Sequence, residues 1–410
     1  MKNLLIITFD IIYPNEPLIP YPIGSIISSL KSDAYIRESY NIHYKSFNIY
    51  GGNLLSIKEI IEILLKIVNL NDINIIALGC YYWSERYINP LIFELKKNGF
   101  NGKIILGGYQ IQPKTCIDDY PLADYYIVGY AELSIIKILK NTEEVNEKII
   151  QNNIDLNNIP SPYLTEVIPI SNYQGEVLLE TKRGCPYRCT FCAHKDIISH
   201  KIYKNNLEKV FMELLFMKNH NVKQINIVDP IFNMGNDYIE ILKEMVRINI
   251  NSFLTIQTRF ELVKGDIGKT FLELCSQLNV RLEFGLQTIN IEENIIINRK
   301  NNIDQIKKTI SELNNMAIKY EISLIYGLPN QTISSFKESV KFANDSGCQN
   351  IKAFPLMLLK GTELFERKEE FGFKEGLWGE YNLPVVMESN SFSFDDWKLM
   401  EEIASSIHCL

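Results

Sequence analysis

The chain has 410 residues, more than one hydrophobic core usually serves, so two or three domains are expected. Its 46% hydrophobic and 22% charged residues are ordinary for a folded enzyme. A formal charge of -7, with Lys and Arg scattered along the chain, argues against a nucleic-acid surface and leaves a small molecule or a peptide as the expected partner.

The short apolar run at the start ends at Asp10 and is too brief for a secretory signal, and no run approaches the roughly 18 residues of a membrane span. No membrane partner and a cytoplasmic location are expected. That run, Leu4 to Thr8, reads as a strand; Ile73 to Leu78, Lys103 to Leu106 and Tyr125 to Val128 follow, bounded by Gly79, Gly107 and Gly129. Between them, Ile23 to Leu30, Ile57 to Val68, Ile88 to Asn98 and Leu133 to Lys140 space their apolar residues as helices do. The alternation predicts an α/β, doubly wound (Rossmann-like) parallel sheet over residues 1–145, with ligands beyond the carboxyl ends of its strands. Residues 146–175, with Asn152, Asn153, Asn157, Asn158, Pro160 and Pro162, read as a linker.

A second series occupies 176–365. Its strand candidates are Glu176 to Thr181, Gln224 to Val228, Phe253 to Thr258, Arg281 to Gly285, Glu321 to Tyr326 and Asn350 to Phe354, with helical patterns between them. Six repeats fall short of the eight of a closed barrel and predict a partial (β/α)6 barrel with its site at the strand carboxyl ends. Residues 366–410, rich in aromatics such as Phe371, Trp378, Phe394 and Trp397, form an extension that caps the barrel mouth or packs outside it.

Directly after the first strand of this series stands Lys182-Arg183-Gly184-Cys185-Pro186-Tyr187-Arg188-Cys189-Thr190-Phe191-Cys192. Three thiols within eight residues of a chain with eight cysteines indicate a metal group. Zinc would need a fourth ligand, for which only His194 and His200 stand nearby. Three thiolates suit a four-iron, four-sulfur cubane whose fourth iron stays open to a cosubstrate. Cys80, Cys116, Cys275, Cys348 and Cys409 are dispersed and read as ordinary thiols, so no second cluster is expected.

Cys-x-x-x-Cys-x-Phe-Cys after the first strand of a partial barrel resembles the radical S-adenosylmethionine (SAM) superfamily. The resemblance implies a [4Fe-4S] cluster on Cys185, Cys189 and Cys192 that cleaves SAM to a 5'-deoxyadenosyl radical, fed by an electron donor such as a flavodoxin or ferredoxin. It implies Phe191 against the adenine, Asp229 near the methionyl part, and Gln257, Arg259, Gln287 and Gly327 elsewhere in the SAM pocket.

A doubly wound domain ahead of such a barrel resembles the cobalamin-dependent branch of the superfamily. Gly107, Gly108, Gly129, Glu132 and Tyr82 are the implied cobalamin contacts. The Asp-x-His-x-x-Gly motif that supplies an axial histidine is absent, and the domain's one histidine, His43, reads as structural. The branch implies a methyltransferase acting on an unactivated carbon of a specialised metabolite, amino acid or peptide. The alternative is a radical rearrangement, cyclisation or sulfur chemistry with cobalamin absent or in another role. A non-enzymatic metal or ligand sensor would leave the strand-end motifs without purpose.

Overall fold

A computed structural model describes residues 1–141, 147–194 and 201–407. The chain divides into two compact units, one built mainly of Met1–Ile170 and the other mainly of residues from Ser171 onward.

The first unit holds strands β1 (Lys2–Asp10), β2 (Tyr40–Asn48), β3 (Ile75–Gly79), β4 (Lys103–Gly107), β5 (Tyr125–Ile127) and β6 (Ile149–Ile150). Its helices are α1 (Tyr21–Ser32), α2 (Ala34–Ser39), α3 (Ile57–Ile67), α4 (Glu85–Lys97), α5 (Cys116–Asp119) and α6 (Glu132–Lys140). All neighbouring strands are parallel, in the order β2-β1-β3-β4-β5-β6. The two-residue period of a strand sends alternate side chains of β1 into two cores: Leu5, Ile7 and Phe9 join α3 and α4, while Leu4 and Ile6 join α1 and α6. Each such buried side chain contributes about 1.5–3 kcal/mol of hydrophobic stabilisation. The strand order reverses between β1 and β3, which places the ligand crevice of such a sheet at the carboxyl ends of those strands.

Two features differ from the sequence reading. Strand β2 escapes it because its pattern is half-exposed and rich in Asn, Lys and Ser, as an edge strand tolerates; it pairs with β1 in register Lys2↔Tyr40 to Asp10↔Asn48. The stretch expected as a linker is packed instead. Strand β6 extends the sheet, and Ile154, Leu156, Ile159, Tyr163 and Ile168, spaced among the polar residues, are buried.

The second unit holds β7 (Glu176–Leu179), β8 (Lys182–Arg183), β9 (Tyr203–Lys204), β10 (Gln224–Ile227), β11 (Phe253–Thr258), β12 (Val280–Gln287), β13 (Lys319–Tyr326), β14 (Ile351–Pro355), β15 (Lys374–Trp378) and β16 (Leu383–Glu388). Its helices are α7 (Leu207–Asn219), α8 (Asp237–Arg247), α9 (Gly265–Cys275), α10 (Ile291–Ile296), α11 (Ile303–Asn315), α12 (Ile333–Asp345), α13 (Glu363–Glu366) and α14 (Phe394–Ile407). Strands β7, β10, β11, β12, β13 and β14 lie side by side in chain order, all parallel: the open six-stranded arrangement expected.

The asparagine excess is put to use here. Asn206, Asn290 and Asn302 cap α7, α10 and α11 by accepting backbone N–H bonds, and Asn221, Asn249 and Asn298 take the left-handed backbone just beyond helices. In the carboxyl-terminal extension, Trp397 of α14 is buried, with its ring 5.9 Å from that of Tyr326, which also meets Phe336 of α12. Helix α14 therefore packs beside α12 at the end of β13.

Candidate active site

The cysteine loop leaves β8 through Gly184, whose φ of +86° favours glycine, and then turns back on itself, Cys192 N donating to Cys189 O at 3.1 Å. Its outer side is pinned to the chain after α10. Thr190 N donates to Ile297 O at 3.0 Å, Thr190 Oγ1 to Ile296 O at 3.2 Å, and Asn298 Nδ2 to Arg188 O at 2.8 Å. Leu364 N of α13 donates to Thr190 O at 3.0 Å from another side. The loop is thus fixed by bonds made by its backbone and the Thr190 hydroxyl.

Cys185, Cys189 and Cys192 line one cavity of about 250 Å³ together with Tyr187, Phe191, Ile231, Gln257, Arg259, Glu283, Gln287, Arg299 and Ser323. Burial raises the Cys185 thiol and pushes Cys192 up to about 11, so these groups are protonated without metal and lose their protons on binding iron. Among the described residues, no three His, Cys, Asp or Glu side chains converge tightly enough for a single metal ion. Three thiols around a cavity fit a larger polynuclear cluster. His194 lines the cavity, and His200 lies outside the described residues.

Of the other expected SAM contacts, Phe191, Gln257, Arg259 and Gln287 line this cavity and Gly327 and Asp229 do not. Gln287 sits at a bulge where β12 slips against β13 and carries a φ of +70°, the kind of local strain that re-aims a side chain. A Cβ on Gly285 would fall 2.4 Å from Gln287 Nε2, so glycine there is what lets this amide fold over the strand. Gly327, with φ +88°, opens a turn held by Gln331, whose Oε1 accepts from Gly327 N at 2.7 Å. Asp229 is fully buried and accepts from Thr181 N at 2.7 Å, Lys182 N at 3.0 Å and Thr181 Oγ1. It is a bond between strand ends and not a contact with the cavity.

Arg299 escaped the sequence reading because it stands in an Asn- and Lys-rich loop with no motif around it. In the structure its Nη1 lies 4.0 Å from Cys189 Sγ, Nη2 donates to Gly285 O, and Nε is buried without an acceptor. Burial lowers its pKa, a cost tolerated when an anion is to be met. Arg259 adds a second guanidinium, stacked 3.8 Å from the Tyr187 ring centroid and 3.2 Å from Glu261, with its backbone locked reciprocally to the Asn233 amide at 3.0 Å. Two cations beside three thiols suit a site for a cluster and a carboxylate-bearing cosubstrate.

In the first unit, the residues expected to meet a corrin lie at the end of β4 or in the segments that follow β3, β4 and β5, but packing explains Gly108 and Glu132. A Cβ on Gly108, at φ +107°, would fall 2.4 Å from Cys80 O. Gly107 has no such constraint, its nearest neighbour being Ile127 Cβ at 3.7 Å. Gly129 has φ +83°, Tyr82 is half-buried after β3, and buried Glu132 accepts from Ser25 Oγ at 2.9 Å, joining α6 to α1. His43 is exposed on edge strand β2. Two features were missed. Asp10, at the end of β1, accepts from Thr8 Oγ1 at 2.5 Å and Ser46 Oγ at 2.6 Å, and burial raises its pKa. Gln110, after β4, donates to Glu85 at 2.6 Å while its Oε1 is buried without a donor.

Residues 179–343 match the radical SAM superfamily. The chain is 22% identical to the cobalamin-dependent radical SAM methyltransferase TokK of Streptomyces tokunonensis and 20% identical to the 2-(S-pantetheinyl)-carbapenam-3-carboxylate methyltransferase of Streptantibioticus cattleyicolor. Each match covers 93% of this chain and 61% of the relative, so the chain spans about three fifths of their length. Among solved structures, the radical SAM methyltransferase TsrM of Kitasatospora setae superposes with a TM-score of 0.70 at 13% identity, over 99% of this chain and 89% of that one. The cobalamin-dependent radical enzyme OxsB gives 0.68 at 15%, over 98% and 66%. Residues 179–343 thus carry the match to the radical SAM superfamily, and over 93% of its length the chain is similar to a cobalamin-dependent radical SAM methyltransferase.

Proposed function

We propose that this chain is a cobalamin-dependent radical SAM methyltransferase acting on an unactivated carbon of a specialised metabolite, an amino acid or a peptide. The observation that carries the reading is the convergence of Cys185, Cys189, Cys192 and Arg299 with Gln257, Arg259 and Gln287 on one cavity at strand carboxyl ends. When bound, a [4Fe-4S] cluster supplies the electron that cleaves SAM reductively to a 5'-deoxyadenosyl radical, and methylcobalamin supplies the methyl group. The three thiolates hold the cluster. Arg299 balances negative charge beside Cys189, and the Gln257 and Gln287 amides offer hydrogen bonds to ribose hydroxyls. Apolar walls such as buried Ile231 and half-buried Phe191 limit water around a reactive carbon radical.

Support for cobalamin is of a different kind. Gly107 leaves room that packing does not require, the orphaned Gln110 Oε1 suits an amide donor such as those on a corrin rim, and the described histidine of this unit is too exposed on its edge strand to serve as an inner ligand. The reading is of cobalamin without a protein imidazole. Because packing already accounts for Gly108 and Glu132, a non-methylating radical reaction remains the second reading. Anaerobic turnover with deuterated-methyl SAM and candidate acceptors separates them: a product heavier by a labelled methyl supports methyl transfer, whereas deoxyadenosine with an isomerised or cyclised product overturns it. An electron donor such as a flavodoxin or ferredoxin completes the proposal.

A further inference from the structure

Lys182 and Asp229 are buried charged groups that do not line the cavity: Lys182 is 2% exposed and Asp229 0%. Removing charges from water is costly and is recovered only by specific bonds, so their placement calls for a reason. Asp229, two residues beyond β10, receives the backbone N–H groups of Thr181 and Lys182, the residues that lead into the cysteine loop. Lys182 sends its ammonium the other way, donating from Nζ to Phe232 O at 2.7 Å and Met234 O at 2.9 Å. Between Asp229 and those carbonyls lie Pro230 and Ile231, which form a wall of the cavity. The far side of this loop is tied to β11, Phe232 N donating to Gln257 O at 2.8 Å. The two loops therefore hold one another reciprocally, each by the charged side chain of the other.

We propose that Lys182 and Asp229 are positioning residues for the cosubstrate, fixing the Pro230–Ile231 wall relative to the cysteine loop. This rests on the radical SAM reading above. Neither residue touches a cluster ligand's sulfur or the cavity, so their effect falls on binding geometry and not on iron content. Replacing Lys182 by Met leaves two carbonyls and a carboxylate without their cation, and the wall relaxes away from the cosubstrate. Arg keeps the charge and the donors; Gln keeps a single donor group.

The test uses the full chain with its cluster reconstituted. Iron per chain, melting temperature, SAM dissociation constant and the change of the reduced cluster's paramagnetic resonance signal on SAM addition are measured for the wild type, K182M, K182Q and K182R. The expected result is wild-type iron in all, a dissociation constant raised at least tenfold in K182M and fivefold in K182Q, an attenuated resonance change in both, and K182R within threefold of wild type. Should K182M not fold, the contrast between K182Q and K182R decides. K182Q binding SAM within twofold of wild type, or K182R weakened as much as K182Q, overturns the proposal. A wild type that holds four irons and binds SAM keeps the underlying reading whatever the variants do; a wild type that does neither overturns both.

Discussion

Gly108 and Gly107 stand side by side at the end of β4, both implied as cobalamin contacts by resemblance, and the structure separates them. A Cβ at Gly108 meets Cys80 O at 2.4 Å and Cys80 N at 3.0 Å, both backbone atoms that move only if β3 and β4 part. Its φ of +107° adds about 1–3 kcal/mol of strain for any residue with a side chain. Forcing backbone apart costs about 1–3 kcal/mol more. A total near 4 kcal/mol in a unit of this size lowers its melting temperature by roughly 8–16 °C. Gly107→Ala meets nothing closer than 3.7 Å and leaves the melting temperature unchanged. The assay is thermal unfolding by circular dichroism of both variants without cobalamin, followed by cobalamin titration of G107A. G108A melting within 2 °C of the wild type would refute the steric argument. G107A binding cobalamin as tightly as the wild type would remove that glycine from the proposed corrin site.

Three further outcomes follow from the geometry. Arg299→Met removes a buried cation 4.0 Å from Cys189 Sγ, so the cluster becomes harder to reduce, by on the order of 50 mV in a redox titration; an unchanged potential contradicts the assigned role. Gly285→Ala displaces the flexible end of Gln287, not backbone, so stability holds while SAM affinity falls; a large loss of melting temperature would show that the contact is misjudged. Burial pushes the Asp229 carboxyl up to about 6, above its unfolded value, so its protonation favours the folded state. That contribution is fully present below the unfolded pKa and lost as pH rises through about 6, so wild type gains stability relative to D229N as pH falls from 7 to 5, measured by urea unfolding; an opposite slope would exclude the assignment.

The sheets and the cysteine loop are legible in the sequence because each has a local signature. Continuous apolar runs such as Leu4 to Ile7 belong to strands buried on both faces, and three thiols within eight residues have few uses. Strand β2 and the packed stretch after α6 are not legible, since edge strands and irregular segments bury scattered residues without a period. Arg299 is recognisable only in space, 107 residues after Cys192, where the end of α10 presses against the loop. Asp229 shows the opposite failure. A motif position suggests a ligand contact, but the carboxylate is engaged by two backbone N–H groups and the Thr181 hydroxyl.

The most direct test of the central claim compares anaerobically reconstituted wild type with Cys189→Ala and Cys275→Ala, quantifying iron, sulfide and deoxyadenosine released from SAM under a chemical reductant. Cys189 lines the cavity, whereas Cys275 is buried in α9 away from it. The account predicts about four irons per chain and deoxyadenosine release in wild type and C275A, with both lost in C189A. Retained cleavage of SAM in C189A would contradict it.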